Sequence, residues 1–124
     1  MSGITYDYMD SFIKGLITEH DGSLKELEDY AHLNSVPIVL KEVARFLELM
    51  ITIKKPETIL ELGTAIGYSS ILMNEASGGN SHITTIERDE NMVKLALENI
   101  EKYNKKNKIE ILQGECLDIL QSLN

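Results

Sequence analysis

From Pro56 onward, strand-like and helix-like runs alternate, and this alternation constrains the fold more than any other feature of the chain. The runs are TILEL (58–62), GYSSILMNEA (67–76), HITTIE (82–87), DENMVKLALENIEKY (89–103), KIEILQ (108–113) and CLDILQSL (116–123). A strand-helix order repeated three times implies a parallel sheet, because parallel neighbours need a helical crossover and such crossovers are almost always right-handed. The three strands are expected in the spatial order 3-2-1. The one Gly/Ser-rich turn is SGGNS (77–81), and no internal repeat or low-complexity tract interrupts the pattern.

Ahead of this lies a helical segment, so the chain divides into residues 1–55, covering a site, and residues 56–124, the first half of an α/β domain. Tyr6, Met9, Ile13, Leu16 and Ile17 recur at helical spacing behind Thr5, a candidate N-cap, which predicts an amphipathic helix over 5–18 ended by HDGS. Ser23 and Glu26 have the spacing of a capping box for a second helix, whose apolar face is Leu24, Leu27, Tyr30 and Ala31. Pro37 suits the first turn of a third helix, with Val39, Val43, Phe46, Leu47, Met50 and Ile51 on one side.

Composition narrows the class of protein. With 43% hydrophobic and 26% charged residues in 124, the chain is apolar enough to fold as one small domain rather than remain disordered. No apolar run approaches the about 18 residues needed to span a bilayer, and the N-terminus lacks a basic segment followed by an apolar one, so a cytoplasmic protein without a membrane partner is expected. The single cysteine, Cys116, excludes an internal disulfide and is read as a packing residue. A net charge of −8 repels nucleic acid on average. The lysines at 102, 105, 106 and 108 form a local exception, read as a solvated helix end.

The chemistry concentrates at the carboxyl ends of the strands, where open α/β sheets bind ligands. Glu61, Gly63 and Gly67 form an E-x-G-x-x-x-G loop between the first strand and its helix. Gly63 permits a sharp turn, Gly67 lets backbone approach a ligand, and the helix start offers free N–H groups to an anion such as a carboxylate. Glu87 ends the second strand 20 residues after Gly67, the spacing at which an acidic residue accepts hydrogen bonds from ribose hydroxyls. The third strand closes at Gly114, Glu115 and Cys116, whose backbone could hold an adenine. A dinucleotide fingerprint requires glycines where this loop has Ala65 and Tyr68, which disfavours NAD. S-adenosylmethionine, with no pyrophosphate to cradle, tolerates the bulkier loop.

TILELGTAIGYSSILM, ITTIERDENMVKLALENI and IEILQGECLDIL together resemble the S-adenosylmethionine motifs of class I O-methyltransferases related to catechol O-methyltransferase. LEDYAHLNSVPI, ahead of the first strand, resembles a narrower bacterial branch, the tRNA 5-hydroxyuridine O-methyltransferases. The resemblance implies a Rossmann-like fold in which Gly63, Thr64, Ala65, Gly67, Tyr68 and Ser69 surround the methionine part of the cofactor, over Glu61. It implies that Glu87 holds the ribose with Arg88 beside it, that Gly114 and Glu115 flank the adenine, and that Val39 closes over the cofactor. Relatives commonly carry Gly-Asp-Ala where this chain has Gly114, Glu115 and Cys116.

The resemblance also implies a Mg²⁺ site built from an Asp after a fourth strand and an Asp-Asn pair after a fifth, beyond residue 124. The chain is therefore expected to be the first half of a longer enzyme, without catalytic or metal residues of its own and inactive alone. Asp89 and Asp118 are read as helix-start residues, and His20, His32 and His82 as surface or packing histidines. The expected reaction of the intact protein, a homodimer, is methyl transfer to 5-hydroxyuridine in tRNA. A small catechol-like hydroxyl is the alternative acceptor, and a non-catalytic nucleoside-binding module the alternative class.

Overall fold

The computed structural model describes residues 4–123. Three helices, α1 (Asp7–Leu16), α2 (Gly22–Leu33) and α3 (Lys41–Lys54), precede an alternating unit. That unit runs β1 (Thr58–Leu62), α4 (Tyr68–Ala76), β2 (His82–Glu87), α5 (Glu90–Lys102), β3 (Ile109–Gln113) and α6 (Cys116–Ser122). The sheet is parallel, with β2 between β1 and β3, which is the expected 3-2-1 order. Register sets Glu61 beside Thr85 and Glu87 beside Gln113, so all three strands end at one edge.

The central strand shows why this order holds. Ile83, Thr85 and Ile86 in β2 are buried, as a strand covered on both faces requires, whereas β1 leaves Leu60 and Leu62 about half exposed. α4 is the most deeply packed helix, with Ile71 and Leu72 wholly buried, and both α2 and α3 pack on it. One core therefore runs through both parts of the chain, from Leu24, Leu27 and Ala31 in α2 through Ala44 and Ile51 in α3 to Ile71, Ile83 and Ile109. Asn74 is buried in the same region and is satisfied by donating from Nδ2 to the Ser81 carbonyl at 3.0 Å.

The N-terminal segment departs from the sequence expectations at three points, each for a physical reason. α1 spans 7–16 rather than 5–18; Tyr6 is its cap residue and the Thr5 hydroxyl donates to Asp10 instead. α1 buries no residue, so its apolar face, including Tyr8, Phe12 and Leu16, is open. The capping box of α2 does not form. Ser23 Oγ donates to Glu75 Oε1 in α4 at 2.6 Å, and Glu26 accepts from Lys102 Nζ, the last residue of α5, at 2.8 Å and from the OH of its C-cap Tyr103 at 2.7 Å. Tertiary partners outcompete the local ones, and Asp21 becomes the cap residue. Pro37 does not start α3: residues 36–40 are irregular, with Leu40 extended at ψ 155°, and the helix begins at Lys41. The φ that proline fixes serves extended backbone as well as helix. Val39 thus lies in a strap ahead of α3, and α3 itself buries only Ala44 and Ile51 while Val43, Phe46 and Met50 remain substantially exposed.

Because Ile71 has no exposed surface and sits where α4 joins the shared core, Ile71→Ala should lower stability by about 3 kcal/mol. Urea unfolding followed by circular dichroism measures this. A change smaller than about 1 kcal/mol would show that the core does not extend through α4 as described.

Candidate functional site

The loop after β1 folds back over the end of β2. Consecutive amides anchor it: Gly63 N and Thr64 N donate to the Ile86 carbonyl at 2.9 and 3.2 Å, and Ala65 N donates to Glu87 Oε2 at 3.0 Å. Following β2 this closely forces unusual backbone. Gly63 has φ 91°, which glycine adopts without a Cβ penalty, and Ala65 has φ 47°, strain that an L-residue tolerates only where its surroundings hold it. Gly67, at φ 86°, is the cap residue of α4. Its positive φ is what calls for glycine, since a Cβ there would make only an ordinary contact with Ala96 of α5, at 3.6 Å.

α4 begins with neither a side-chain cap nor an acidic residue in its first turn, although Gly67, Tyr68 and Ser70 are buried. Amides at a helix start have no intrahelical partner, so a buried, uncapped start is suited to an anionic group. α5 makes the contrast plain: its first turn is capped by Asp89 Oδ1, which accepts from Asn91 N at 2.8 Å and Met92 N at 3.1 Å.

Glu87 is held by backbone alone. Oε1 accepts from Arg88 N and Asp89 N, both at 2.9 Å, and Oε2 accepts from Ala65 N. A carboxylate has about four lone-pair positions, so Oε2 retains one for a ligand hydroxyl. Beneath the loop, Glu61 Oε1 accepts from Ser70 Oγ at 2.6 Å and Thr85 Oγ1 at 2.7 Å, and Thr85 Oγ1 lies 2.7 Å from Thr64 Oγ1. Glu61 thereby ties β1, β2 and α4 together below the loop. Burial pushes its carboxyl above the ordinary range, although the two hydroxyl bonds oppose the shift.

Two cavities meet at Gly63. One, of about 260 Å³, is lined by the strap (Pro37, Ile38, Val39) and by Thr64, Ala65, Tyr68 and Ser69. The other, of about 280 Å³, is lined by Ile86, Glu87, Arg88, Glu115 and Cys116. The anticipated site residues Val39, Gly63, Thr64, Ala65, Tyr68, Ser69, Glu87, Arg88 and Glu115 thus come together around one loop. Glu61, Gly67 and Gly114 line neither cavity. Arg88 is exposed and lies 3.5 Å from Glu115, at the rim.

Pro37, Ile38, Ile86 and Cys116 also line the site. The first two are hidden from sequence reasoning by the helical reading of 37–51. Cys116, expected as a packing residue, is half-buried and shares a cavity with Glu87. Asp118 is in the first turn of α6, and among the described residues no three His, Cys, Asp or Glu side chains group as a metal site. No helix among them is long and apolar enough to cross a membrane.

A model of the O-methyltransferase family matches residues 17–124. The chain belongs to that family. It is 29% identical over 125 residues to a catechol O-methyltransferase of Niastella koreensis, a match covering 99% of this chain and 57% of that protein. It is 28% identical over 110 residues to a caffeoyl-CoA O-methyltransferase of Populus kitakamiensis, covering 85% and 46%. Its backbone superimposes on the crystal structure of an O-methyltransferase from Bacillus cereus in complex with S-adenosylhomocysteine with a TM-score of 0.78, at 28% identity, covering 94% and 54%. The chain therefore spans about half the length of the relatives it matches, and its fold is the Rossmann-like methyltransferase fold.

The buried Glu61 carboxyl gives a pH prediction. Its value in the folded state lies above the ordinary 4.5, so the stability it contributes is complete below that pH and is lost as pH rises through the folded value. Glu61→Gln keeps an oxygen to accept from Ser70 and Thr85 and removes the buried charge. The variant should be at least as stable as wild type at neutral pH and should lack the decline. Thermal unfolding from acid to neutral pH checks this, and a variant markedly less stable at neutral pH would show that the charge itself is needed.

Proposed function

We propose that this chain forms the S-adenosylmethionine-binding part of an O-methyltransferase, with Gly63 at the junction of two half-sites. The observation that carries this reading is the carboxylate of Glu87, fixed by three backbone amides with one acceptor position on Oε2 left open. A ribose hydroxyl fits that position, the Glu115 and Cys116 side of the cavity fits an adenine, and the uncapped start of α4 fits the methionine carboxylate. When bound, the cofactor supplies an electrophilic methyl group on sulfur. The chain's own residues bind and orient it. Val39 and Ile38 cover the methionine end with apolar surface, and the amides of 63–65 bond directly to the end of β2.

The acceptor in this reading is a hydroxyl. A catechol-type phenol is supported by the named relatives and by the net charge of −8, which does not favour a polyanion. The second reading, 5-hydroxyuridine in tRNA, is supported by the segment LEDYAHLNSVPI, whose Pro37 and Ile38 line the methionine-side cavity. A divalent ion that orients and acidifies the acceptor hydroxyl belongs to the same proposal, with its ligands drawn from the part of the family's length that these residues do not span. A cytoplasmic homodimer completes it. The exposed apolar face of α1, with Tyr8, Phe12 and Leu16 all about 70% exposed, supports self-association.

Glu87→Ala should weaken S-adenosylhomocysteine binding by about 2 kcal/mol, roughly thirtyfold, because the ribose loses a charged acceptor and Ala65 N loses its anchor. Isothermal titration calorimetry with S-adenosylhomocysteine, with NAD as control, measures this. Equal affinity of variant and wild type would remove Glu87 from the site. Radiolabelled methyl transfer by the native protein, with Mg²⁺ and either a catechol or hydroxyuridine-containing tRNA, separates the two acceptors.

A further inference from the structure

Behind the cofactor loop is a half-buried cluster of charges that the proposed function does not use. His20, between α1 and α2, has its Nδ1 2.6 Å from Glu28 Oε1 of α2 and its Nε2 2.5 Å from Glu48 Oε1 of α3. Glu48 Oε2 also accepts from Arg45 Nη1 at 2.5 Å, and Arg45 Nη2 reaches the Thr18 carbonyl. Glu28 Oε1 accepts a further bond, from the Tyr68 hydroxyl, at 2.6 Å. The side chains of His20, Glu28 and Glu48 are only 13%, 15% and 18% exposed, and Tyr68 is 3% exposed.

The ring bridges the two glutamates, one at each nitrogen. An ionised carboxylate only accepts, so a side chain at position 20 that donates from one atom only leaves one of the two glutamates without its partner. Burial first, and then the Glu28 bond, push the Tyr68 hydroxyl up, so it stays protonated and donates. If Glu28 leaves, that buried hydroxyl has lost its partner. Tyr68 is the first residue of α4 and follows Gly67 directly, and its ring is a wall of the methionine-side cavity. On its other side it bounds a larger cleft of about 500 Å³ between α2 and residues 36–41.

We infer that His20 is a positioning residue for the cofactor loop: it fixes Glu28, Glu28 fixes the Tyr68 hydroxyl, and cofactor affinity falls when residue 20 no longer holds Glu28 in place. The inference rests on the proposed cofactor reading of the loop. The charged groups facing the ring are Glu28 from α2, and Glu48 and, through it, Arg45 from α3; Tyr68 from α4 is the neutral donor. The neighbouring charges are already paired, Glu19 with Lys41, Lys25 with Asp29, and Glu42 with Lys14 at 3.8 Å.

The test is S-adenosylhomocysteine affinity by calorimetry across variants at one pH. His20→Gln, which donates from one atom only, should bind about tenfold more weakly than wild type, the size of one hydrogen bond to a charged group. His20→Arg, with donors on several nitrogens, should bind as wild type does. Tyr68→Phe distinguishes positioning from general structural support: in that background His20→Gln should cause no further loss. Wild-type affinity in folded His20→Gln, or the full loss repeated in the Tyr68→Phe background, overturns the inference. If wild type binds no S-adenosylhomocysteine, the cofactor reading fails instead. The His20–Tyr68 coupling is then decided without ligand, by NMR: the Tyr68 ring signals should shift between wild type and His20→Gln, and unchanged signals overturn it.

Discussion

Three consecutive amides of the loop donate to two consecutive residues of β2, and the rest of the site is arranged around that seam. Gly63 and Thr64 share the Ile86 carbonyl, and Ala65 takes the Glu87 carboxylate. The seam makes a positive φ necessary at Gly63 and at Ala65, because the chain has to reverse within a few residues while keeping every donor turned toward β2. It also explains the polar layer beneath. Thr64, Thr85 and Ser70 are buried and Glu61 is half-buried, and they satisfy one another in a single chain of hydrogen bonds.

The seam has a counterpart on the helical side. α4 starts uncapped at the loop and buries Tyr68, Ile71, Leu72 and Met73, so the same helix presents free amides at the loop and anchors the fold. Tyr68 occupies the point where these two duties meet. Its ring is part of the core, while its hydroxyl reaches into the charge cluster formed by α2, α3 and the loop before α2. The N-terminal helices are therefore joined to the start of α4 by a polar contact as well as by apolar packing.

The elements that could be read from sequence were those whose determinants are local. HITTIE forms β2 within its anticipated limits because its buried and half-buried positions suit a central strand, and Asp89 caps α5 because Asp at that position can bond the two amides after it. The acidic residue at the end of β2 was legible for the same reason, as a spacing from the glycine loop. What stayed hidden depended on distant partners. Ser23 has the right neighbour for a capping box, yet Glu75, 52 residues away, takes its hydroxyl. Pro37 reads equally well as the start of a helix or as a strap, and only the packing of 36–40 beside Tyr68 and Ser69 resolves it. His20 looked isolated because its partners are 8 and 28 residues away on two different helices.

β1 has a strand partner on one side only among the described residues, and it half-exposes Leu60 and Leu62. It is also the strand that delivers Gly63 to the seam. The β1–β2 pair is thus mechanically in series with the loop after β1: any displacement of β1 along β2 drags on the Ile86 carbonyl and the Glu87 carboxylate. Linkage then runs in the other direction as well. A ligand that ties the loop to Glu87 must also slow the opening of this pair, so occupancy of the loop and amide-exchange protection of residues 58–62 rise together.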